Sequence, residues 1–398
     1  MGLKSRRRVQ QLFGHRKVTS VTRWPSYSKK PPGRRKSKPD RVRLIRMAQA
    51  AGLTLTLAAC SGNPSTTPSP SLPPSGLPTP STSAAETVAT VAPVAGRIAY
   101  VHKSADETRG ALVIRDADGT KHPLTRARAN VLDDQPDWSP DGKRLIFTET
   151  KVDNTDHGSS RLMTISRQGK GLKPLTPGHP SHDNVIPGYD DRGTYSHDGR
   201  SIAYTHAEGR DMQQIEHSNV YTMEANGKHP RQVSKFPSFS GDAGGVAWSP
   251  DGKQLVFSYA TSPMSRRPNE RALFIINADG THMRQLTQSS LGAGGIPDWS
   301  AQTNFIVFRA VQDDESGVGN FFTITPQGKS LKQVTHFDDQ TVISHKVSFG
   351  PDGKTIIFAK GTPGEHNDVF TITVDGTNLQ KVTDAPEADT SPDWAPAP

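Results

Sequence analysis

Six ionisable side chains are the candidates for chemistry in this 398-residue sequence: Asp133, Asp134, His182, Asp183, Asp242 and His345. They stand in polar segments that read as loops, Val131–Gln135, Gly178–Asp191, Ser240–Asp242 and Phe337–His345, each leading into a short apolar run. Carboxylates and imidazoles gathered from separate segments could ligate a divalent metal, or act together as general acid and base. A metal would need three or four of them converging at about 2.0–2.2 Å, which spacing along a chain does not specify. The plainer alternative is that they are solvated or cap neighbouring backbone, as Asp and His in turns commonly do. Other chemistries lack their motifs. There is no His-Glu-x-x-His, no Gly-x-Ser-x-Gly and no glycine-rich phosphate loop. The one cysteine, Cys60, allows neither an internal disulfide nor a cysteine metal site.

Cys60 has a different setting. It follows Leu57-Ala58-Ala59 at the end of an apolar run that starts at Met47, behind Arg41, Arg43 and Arg46. A basic segment, about a dozen apolar residues and small residues before a cut site make a secretory signal, too short for a membrane span of about 20 residues. Leu-Ala-Ala-Cys resembles the bacterial lipobox, which implies lipidation of Cys60 as the mature N-terminus. Residues 1–46 carry sixteen Lys and Arg against the single Asp40, a net of +15, within a chain of net +9. The remainder therefore carries −6, and a nucleic-acid partner is not expected. The long basic extension is unusual before a signal; a start near Val42 would leave an ordinary short basic segment.

Residues 61–95 are dominated by Pro, Ser and Thr, as in Asn63-Pro-Ser-Thr-Thr-Pro-Ser-Pro. Such a stretch buries too little apolar area to offset chain entropy, so a disordered linker is expected. At about 3.1 Å per residue it would reach on the order of 100 Å when drawn out, a tether between membrane and globular part.

From residue 96 onward the chain repeats. Pro136-Asp-Trp-Ser-Pro-Asp-Gly-Lys-Arg-Leu-Ile-Phe147 joins two short strands through a Ser-Pro-Asp-Gly turn, and recurs at Thr194–Tyr204, Ala247–Phe257 and Val347–Phe358. Asp298–Phe308 is a copy without the Pro-Asp-Gly turn, and Ser391–Pro396 a half-copy. Between these lies a second hairpin with an Asx-Gly or Gln-Gly turn and a closing Leu-Thr, Val-Thr or Val-Ser pair, as in Ala111–Thr125 and five later segments. Asp116-Ala-Asp118-Gly119 resembles the opening of a calcium loop, but no acidic set follows at that spacing, and a turn is expected. Two hairpins per fifty or so residues make one four-stranded propeller blade.

The two series are out of phase at the ends. Gly96–Val101 matches a second strand without its first, and Pro392-Asp-Trp394 a first strand without its second. The sequence predicts an all-β, six-bladed β-propeller over 96–398, closed by a C-terminal strand that joins the N-terminal blade. The aromatics Trp138, Tyr195, Trp248, Trp299, Phe349 and Trp394 are expected to fill the space between blades.

The pattern W-S-P-D-G-K-x-[LI]-[IV]-F at Trp138–Phe147 and Trp248–Phe257 is similar to the propeller repeat of the TolB family. That resemblance implies a propeller without the α/β domain that precedes it in TolB, the linker standing in its place. The expected function is a lipid-anchored, extracytoplasmic binding or scaffold module, in the periplasm or on the cell surface. Its long-loop face would hold an envelope protein or glycan, with the membrane contacted through Cys60. The alternative is a metal- or acid/base-dependent carbohydrate-active lyase or hydrolase with its site at the channel mouth. No cofactor is expected; a divalent metal belongs to that alternative.

Overall fold

The computed structural model describes residues 95–151, 159–177, 186–209, 215–236, 242–260, 270–311, 318–338, 340–363 and 365–397. The basic extension, the signal with Cys60 and the linker up to residue 94 lie outside them, as do His182 and Asp183.

The chain is a series of antiparallel meanders. β1 (Ile98–Lys103), β2 (Gly110–Arg115) and β3 (Lys121–Pro123) come first, followed by β4 (Val131–Trp138), β5 (Arg144–Lys151), β6 (Ser159–Ser166) and β7 (Lys173–Pro174). The third set is β8 (Ile186–Tyr195), β9 (Ser201–Gly209), β10 (Ile215–Glu224) and β11 (Arg231–Gln232). The fourth is β12 (Asp242–Trp248), β13 (Gln254–Ala260), β14 (Arg271–Asn277) and β15 (Arg284–Gln285). The fifth is β16 (Ala293–Trp299), β17 (Ile306–Val311), β18 (Gly319–Ile324) and β19 (Lys332–Gln333). The sixth is β20 (Val342–Phe349), β21 (Thr355–Gly361), β22 (Asp368–Thr373) and β23 (Gln380–Lys381), after which β24 (Asp389–Trp394) ends the series. β24 pairs antiparallel with β1, Ile98 opposite Trp394 and His102 opposite Asp389, and so supplies the inner strand that the first meander lacks. The inner strands touch in the cyclic order β4, β8, β12, β16, β20, β24 and back to β4. These are six blades around a channel, with β24, β1, β2 and β3 as blade 1 and β4 to β7 as blade 2.

Local chemistry explains the repeat. In blade 2 the Gly142 N–H donates to the Ser139 carbonyl at 2.8 Å, with Gly142 at φ +62°, while Asp141 accepts the Lys143 N–H. In blade 5, where that turn is missing, Asn304 takes the left-handed position at φ 57°, and its side chain accepts the Trp299 indole N–H at 2.8 Å. Only two or three residues pair in each outer strand. The Thr or Ser that follows continues the ladder with its side chain. Thr125, Thr176, Ser234, Thr287, Thr335 and Thr383 each accept a third-strand N–H, at 2.8–3.0 Å, from Leu112, Leu162, Val220, Leu273, Phe321 and Val369. The hydroxyl ends the strand and still satisfies the buried amide.

The second strands are buried on both faces, as their unbroken apolar runs require. Leu145, Ile146, Phe147, Ile356, Ile357 and Phe358 are all buried. The six aromatics preceding the first-hairpin turns are buried between blades as well. Gly280 shows how closely the blades approach. At φ +92° it serves the turn, and a Cβ there would lie 2.8 Å from the carbonyl oxygen of Val233 in the preceding blade.

Trp394 anchors the joint between the chain ends. It packs with Ile98, Tyr100 and Ile357, and its indole N–H donates to the Ala95 carbonyl at 2.7 Å. Trp394→Ala is expected to cost about 3–5 kcal/mol, as a buried large-to-small change does. Deleting residues 389–398 should expose an edge of β1 and edges on the neighbouring inner strands, and so cause aggregation. Size-exclusion chromatography and thermal melting test this; a monomer with an unchanged melting temperature would contradict it.

Candidate functional site

Each inner strand is interrupted by a β-bulge at the same level. The register shifts between Asp134 and Asp137, Asp191 and Thr194, Ala243 and Val246, Gly294 and Asp298, and Ile343 and Val347, and in β24 opposite Ala99 and Val101. A bulge leaves an extra residue out of the ladder and re-aims its side chain. Gln135, Arg192 and Ser391 hold left-handed backbone there, at φ 55°, 54° and 49°.

The four candidates that lie within the described residues fall on the bulged inner strands. Asp133 and Asp134 belong to β4, Asp242 opens β12 and His345 belongs to β20. Their segments read as loops because strands lining a channel are polar and the bulge breaks the alternation of a strand.

Asp133 does not face the channel mouth. It is fully buried, and its carboxylate takes a 2.8 Å ion pair from Arg128, which also holds Glu149 at 2.7 Å; Arg161 holds Glu149 from the other side at 2.6 Å. Burial pushes the Asp133 carboxyl up, against hydrogen bonds from Thr125 and Arg128. Burial also acts on Glu149, but the two arginines outweigh it and hold that carboxyl below its ordinary range. Asp190 and Asp389 occupy the equivalent position, five residues before the aromatic. They pair with His206 at 2.7 Å and His102 at 2.8 Å. Asp190 and Asp389 thereby tie inner strands to second strands, while Asp133 is tied to Arg128 just before its own strand. Asp134 accepts the Gln135 N–H at 2.7 Å and so supports the bulge. Of Asp242 only the strand position is described.

A second level lies next to the aromatics. Asp137 accepts the Tyr195 N–H at 2.9 Å and the Thr194 hydroxyl at 3.2 Å, which joins blade 2 to blade 3. Asp298 accepts the Phe349 N–H at 2.7 Å, joining blade 5 to blade 6. Asp393 accepts the Trp138 N–H at 2.9 Å, the Ser348 hydroxyl at 2.7 Å and the Lys346 ammonium at 3.2 Å, joining blades 6, 1 and 2. Lys346 also donates to the Pro136 carbonyl. Burial, then repulsion from Asp393, pushes the Asp137 carboxyl from 3.8 up to about 8. Asp298 is raised too, by burial first. Asp137 and Asp298 line a small cavity with Gln135, Arg192, Thr194 and Lys346.

Among the candidates whose side chains are described, His345 is exposed, Asp134 half-buried and Asp133 buried. Protein nevertheless crowds His345 on all sides, as a channel wall does. Arg309, buried on β17, places Nη1 3.1 Å from His345 Nδ1. The Arg309 charge, then burial, then Arg192, Arg271 and Lys103 hold the imidazole well below its ordinary 6.5, so it is neutral. Among the described residues no group of three or more His, Cys, Asp or Glu is placed to hold a metal ion. Sequence reasoning missed Arg192, Arg309 and Lys346. The phase of the repeat could have found two of them, since Arg192 is three residues before Tyr195 and Lys346 three before Phe349.

The profile of the TolB β-propeller domain matches residues 192–398. Among solved structures, TolB from Acinetobacter baumannii is similar with a TM-score of 0.54 at 18% identity, covering 76% of this chain and 67% of that one. A putative TolB from Agrobacterium tumefaciens is similar with a TM-score of 0.48 at 19% identity, covering 76% and 95%. At these identities the likeness speaks for the fold. No curated protein matches the chain in sequence.

Asp137 makes stability depend on pH. Its carboxyl titrates near 3.8 in the unfolded chain and at about 8 in the folded one, so between these values the folded state holds a proton that the unfolded state lacks. Stability therefore falls as pH rises through this window and levels off above it. Urea midpoints should be lower at about pH 8 than at about pH 5, and Asp137→Asn should flatten the decline.

Proposed function

Since this chain belongs to the TolB β-propeller family, we propose that it is a lipid-anchored, extracytoplasmic binding module whose channel mouth holds an envelope protein or glycan. The observation that carries this reading is the ring of bulges. All six inner strands carry a bulge at about one level, and in blades 1, 2, 3 and 6 the bulged segment includes Ser391, Gln135, Arg192 and His345. The opposite end is occupied by tight turns that serve the fold. Function collects where segments can vary without disturbing a rigid scaffold.

The pairing of the acids supports binding over acid/base catalysis. Asp133, Asp190 and Asp389 are each committed to Arg128, His206 or His102. A general acid or base must reach the substrate, and these carboxylates are buried behind their partners. No helix among the described residues is long and apolar enough to cross a membrane. In this reading the lipid on Cys60 is the attachment and residues 61–95 are the tether that sets the reach.

Two experiments test this. Cross-linking on intact cells followed by pull-down should recover a specific envelope component, and its absence would favour a structural spacer. Stoichiometric metal in the purified protein, lost in His345→Ala, would favour the lyase or hydrolase reading. Separately, Cys60→Ser should abolish lipid labelling and move the protein from the membrane fraction to the soluble one. A variant that stayed in the membrane fraction would refute the anchor.

A further inference from the structure

We propose that the tight-turn end of the ring rests on an anionic phospholipid surface. Leu172, Met283, Leu331 and Leu379 enter the headgroup layer, and the lysines beside them meet the lipid phosphates. This orientation rests on the membrane-anchored reading above and turns the channel mouth away from the bilayer.

Among the described residues these four are the exposed large apolar side chains, each 45–50% exposed. All hold the same place in their blades, three residues after the turn glycines Gly169, Gly280, Gly328 and Gly376. The residue before each, Gly171, His282, Ser330 or Asn378, is left-handed at φ 54–66°, so the same backbone turn presents each side chain. Positions that repeat around one axis lie at one height, and blades 2, 4, 5 and 6 thus offer apolar groups to a common plane. The fold does not demand them, since blade 1 has His122 and blade 3 Pro230 in that place. Four contacts on four blades form no single pocket for a peptide, whereas a flat surface meets them together.

The same end is basic. Its turns are residues 116–121, 139–144, 166–173, 196–201, 224–231, 249–254, 277–284, 300–305, 325–332, 350–355 and 373–381. Together they hold fifteen Lys and Arg against nine Asp and Glu, a net of +6. Residues 47–398 as a whole carry −6, so everything outside these turns carries −12. Lys381 is held by Asp368 and Asp384, which leaves the surplus at five. Lys173 and Lys332 directly follow Leu172 and Leu331, Lys170 and Lys329 stand two residues before them, and all four lysines are exposed. A lysine stem lies along apolar surface while its ammonium stays at the level of the phosphates.

The chain also reaches the ring at this end. Ala95, the first described residue, accepts the Trp394 indole N–H at 2.7 Å, and a Cβ on Gly142 of the blade 2 turn would lie 3.8 Å from Pro396. Residues 61–95 therefore lead from Cys60 to the face that carries the apolar and basic side chains. A lipid chain and a basic patch are the pair of signals that together give stable attachment. The patch alone is weak, and its effect is to orient an anchored ring.

The test uses the full chain with Cys60→Ser, so that Leu331→Cys or Ala105→Cys provides the sole site for an environment-sensitive dye. Ala105 is exposed between β1 and β2, at the mouth end. On vesicles of phosphatidylglycerol and phosphatidylcholine at low ionic strength, the basic residues 1–46 hold the chain at the surface, and the dye reports which end of the ring meets lipid. Emission from the dye at Leu331→Cys should shift to the blue, and that at Ala105→Cys should not. Lys170→Gln and Lys329→Gln should each lower the docked-to-undocked ratio read at Leu331→Cys about fivefold, the scale of one lysine at an anionic surface. Thermal melting shows that each variant is folded. No shift at Leu331→Cys, an equal shift at Ala105→Cys, or an unchanged ratio in both lysine variants would overturn the lipid-facing end. Lipid labelling of Cys60 in the otherwise unaltered chain keeps the two readings apart. A labelled Cys60 with no shift at Leu331→Cys leaves the anchor and removes the orientation. A shift at Leu331→Cys with an unlabelled Cys60 does the reverse.

Discussion

The antiparallel pairing of β24 with β1 is the interaction on which the rest of the ring depends. It joins residues nearly 300 positions apart, and until it forms each blade has a neighbour on one side only at the seam. Closing so long a loop costs entropy, though the cost grows slowly with length. What offsets it is concentrated at that seam. Trp394 fills the space between blades 6 and 1, and Asp393 gathers the Trp138 amide, the Ser348 hydroxyl and the Lys346 ammonium around one buried carboxylate. Charged hydrogen bonds of this kind contribute about 1.5–3 kcal/mol each, more than neutral ones.

The remaining blade junctions differ in strength of chemistry. Asp137 and Asp298 repeat the carboxylate-to-amide bond at the junctions of blades 2 with 3 and 5 with 6. Blades 3 and 4 have Thr194 and Ala247 at the corresponding positions. There, hydroxyls reach carbonyls instead, from Thr205 to Gly244 at 2.8 Å, Ser218 to Ala243 at 3.0 Å and Ser258 to Gly295 at 3.1 Å. Buried carboxylates therefore stand at the junctions of blades 1 with 2, 2 with 3 and 5 with 6, and hydroxyls take their place between blades 3 and 4 and between 4 and 5. Burying a carboxylate is tolerable only when its hydrogen bonds are satisfied, and these are.

This division of labour leaves the channel wall open to function. One level of the inner strands holds Asp190 and Asp389, which pair with second-strand histidines, and another holds Asp137, Asp298 and Asp393, which reach the next blade. The bulge between them is where Gln135, Arg192, His345 and Ser391 stand. The repeat that dominates the sequence is scaffold, and the positions just upstream of each aromatic are where its copies differ.

The sequence alone determined the all-β class, the count of six blades and the complementary half-blades at the two ends. These are local properties: Pro-Asp-Gly and Asx-Gly turns, unbroken apolar second strands and a period near fifty residues recur regardless of what surrounds them. The membrane anchor at Cys60 is equally a matter of local pattern, and stays an inference from it. The candidate site was legible only in part. His345 was singled out and stands at the channel, whereas Asp133 was singled out and is buried under Arg128. Polarity marked both, and only the fold decides which face of a bulged strand meets solvent. Arg192 and Arg309 went unnoticed because nothing near them in sequence suggests His345. One stands on β8 and the other on β17, and they act on the same imidazole because the closed ring turns separate blades toward one axis.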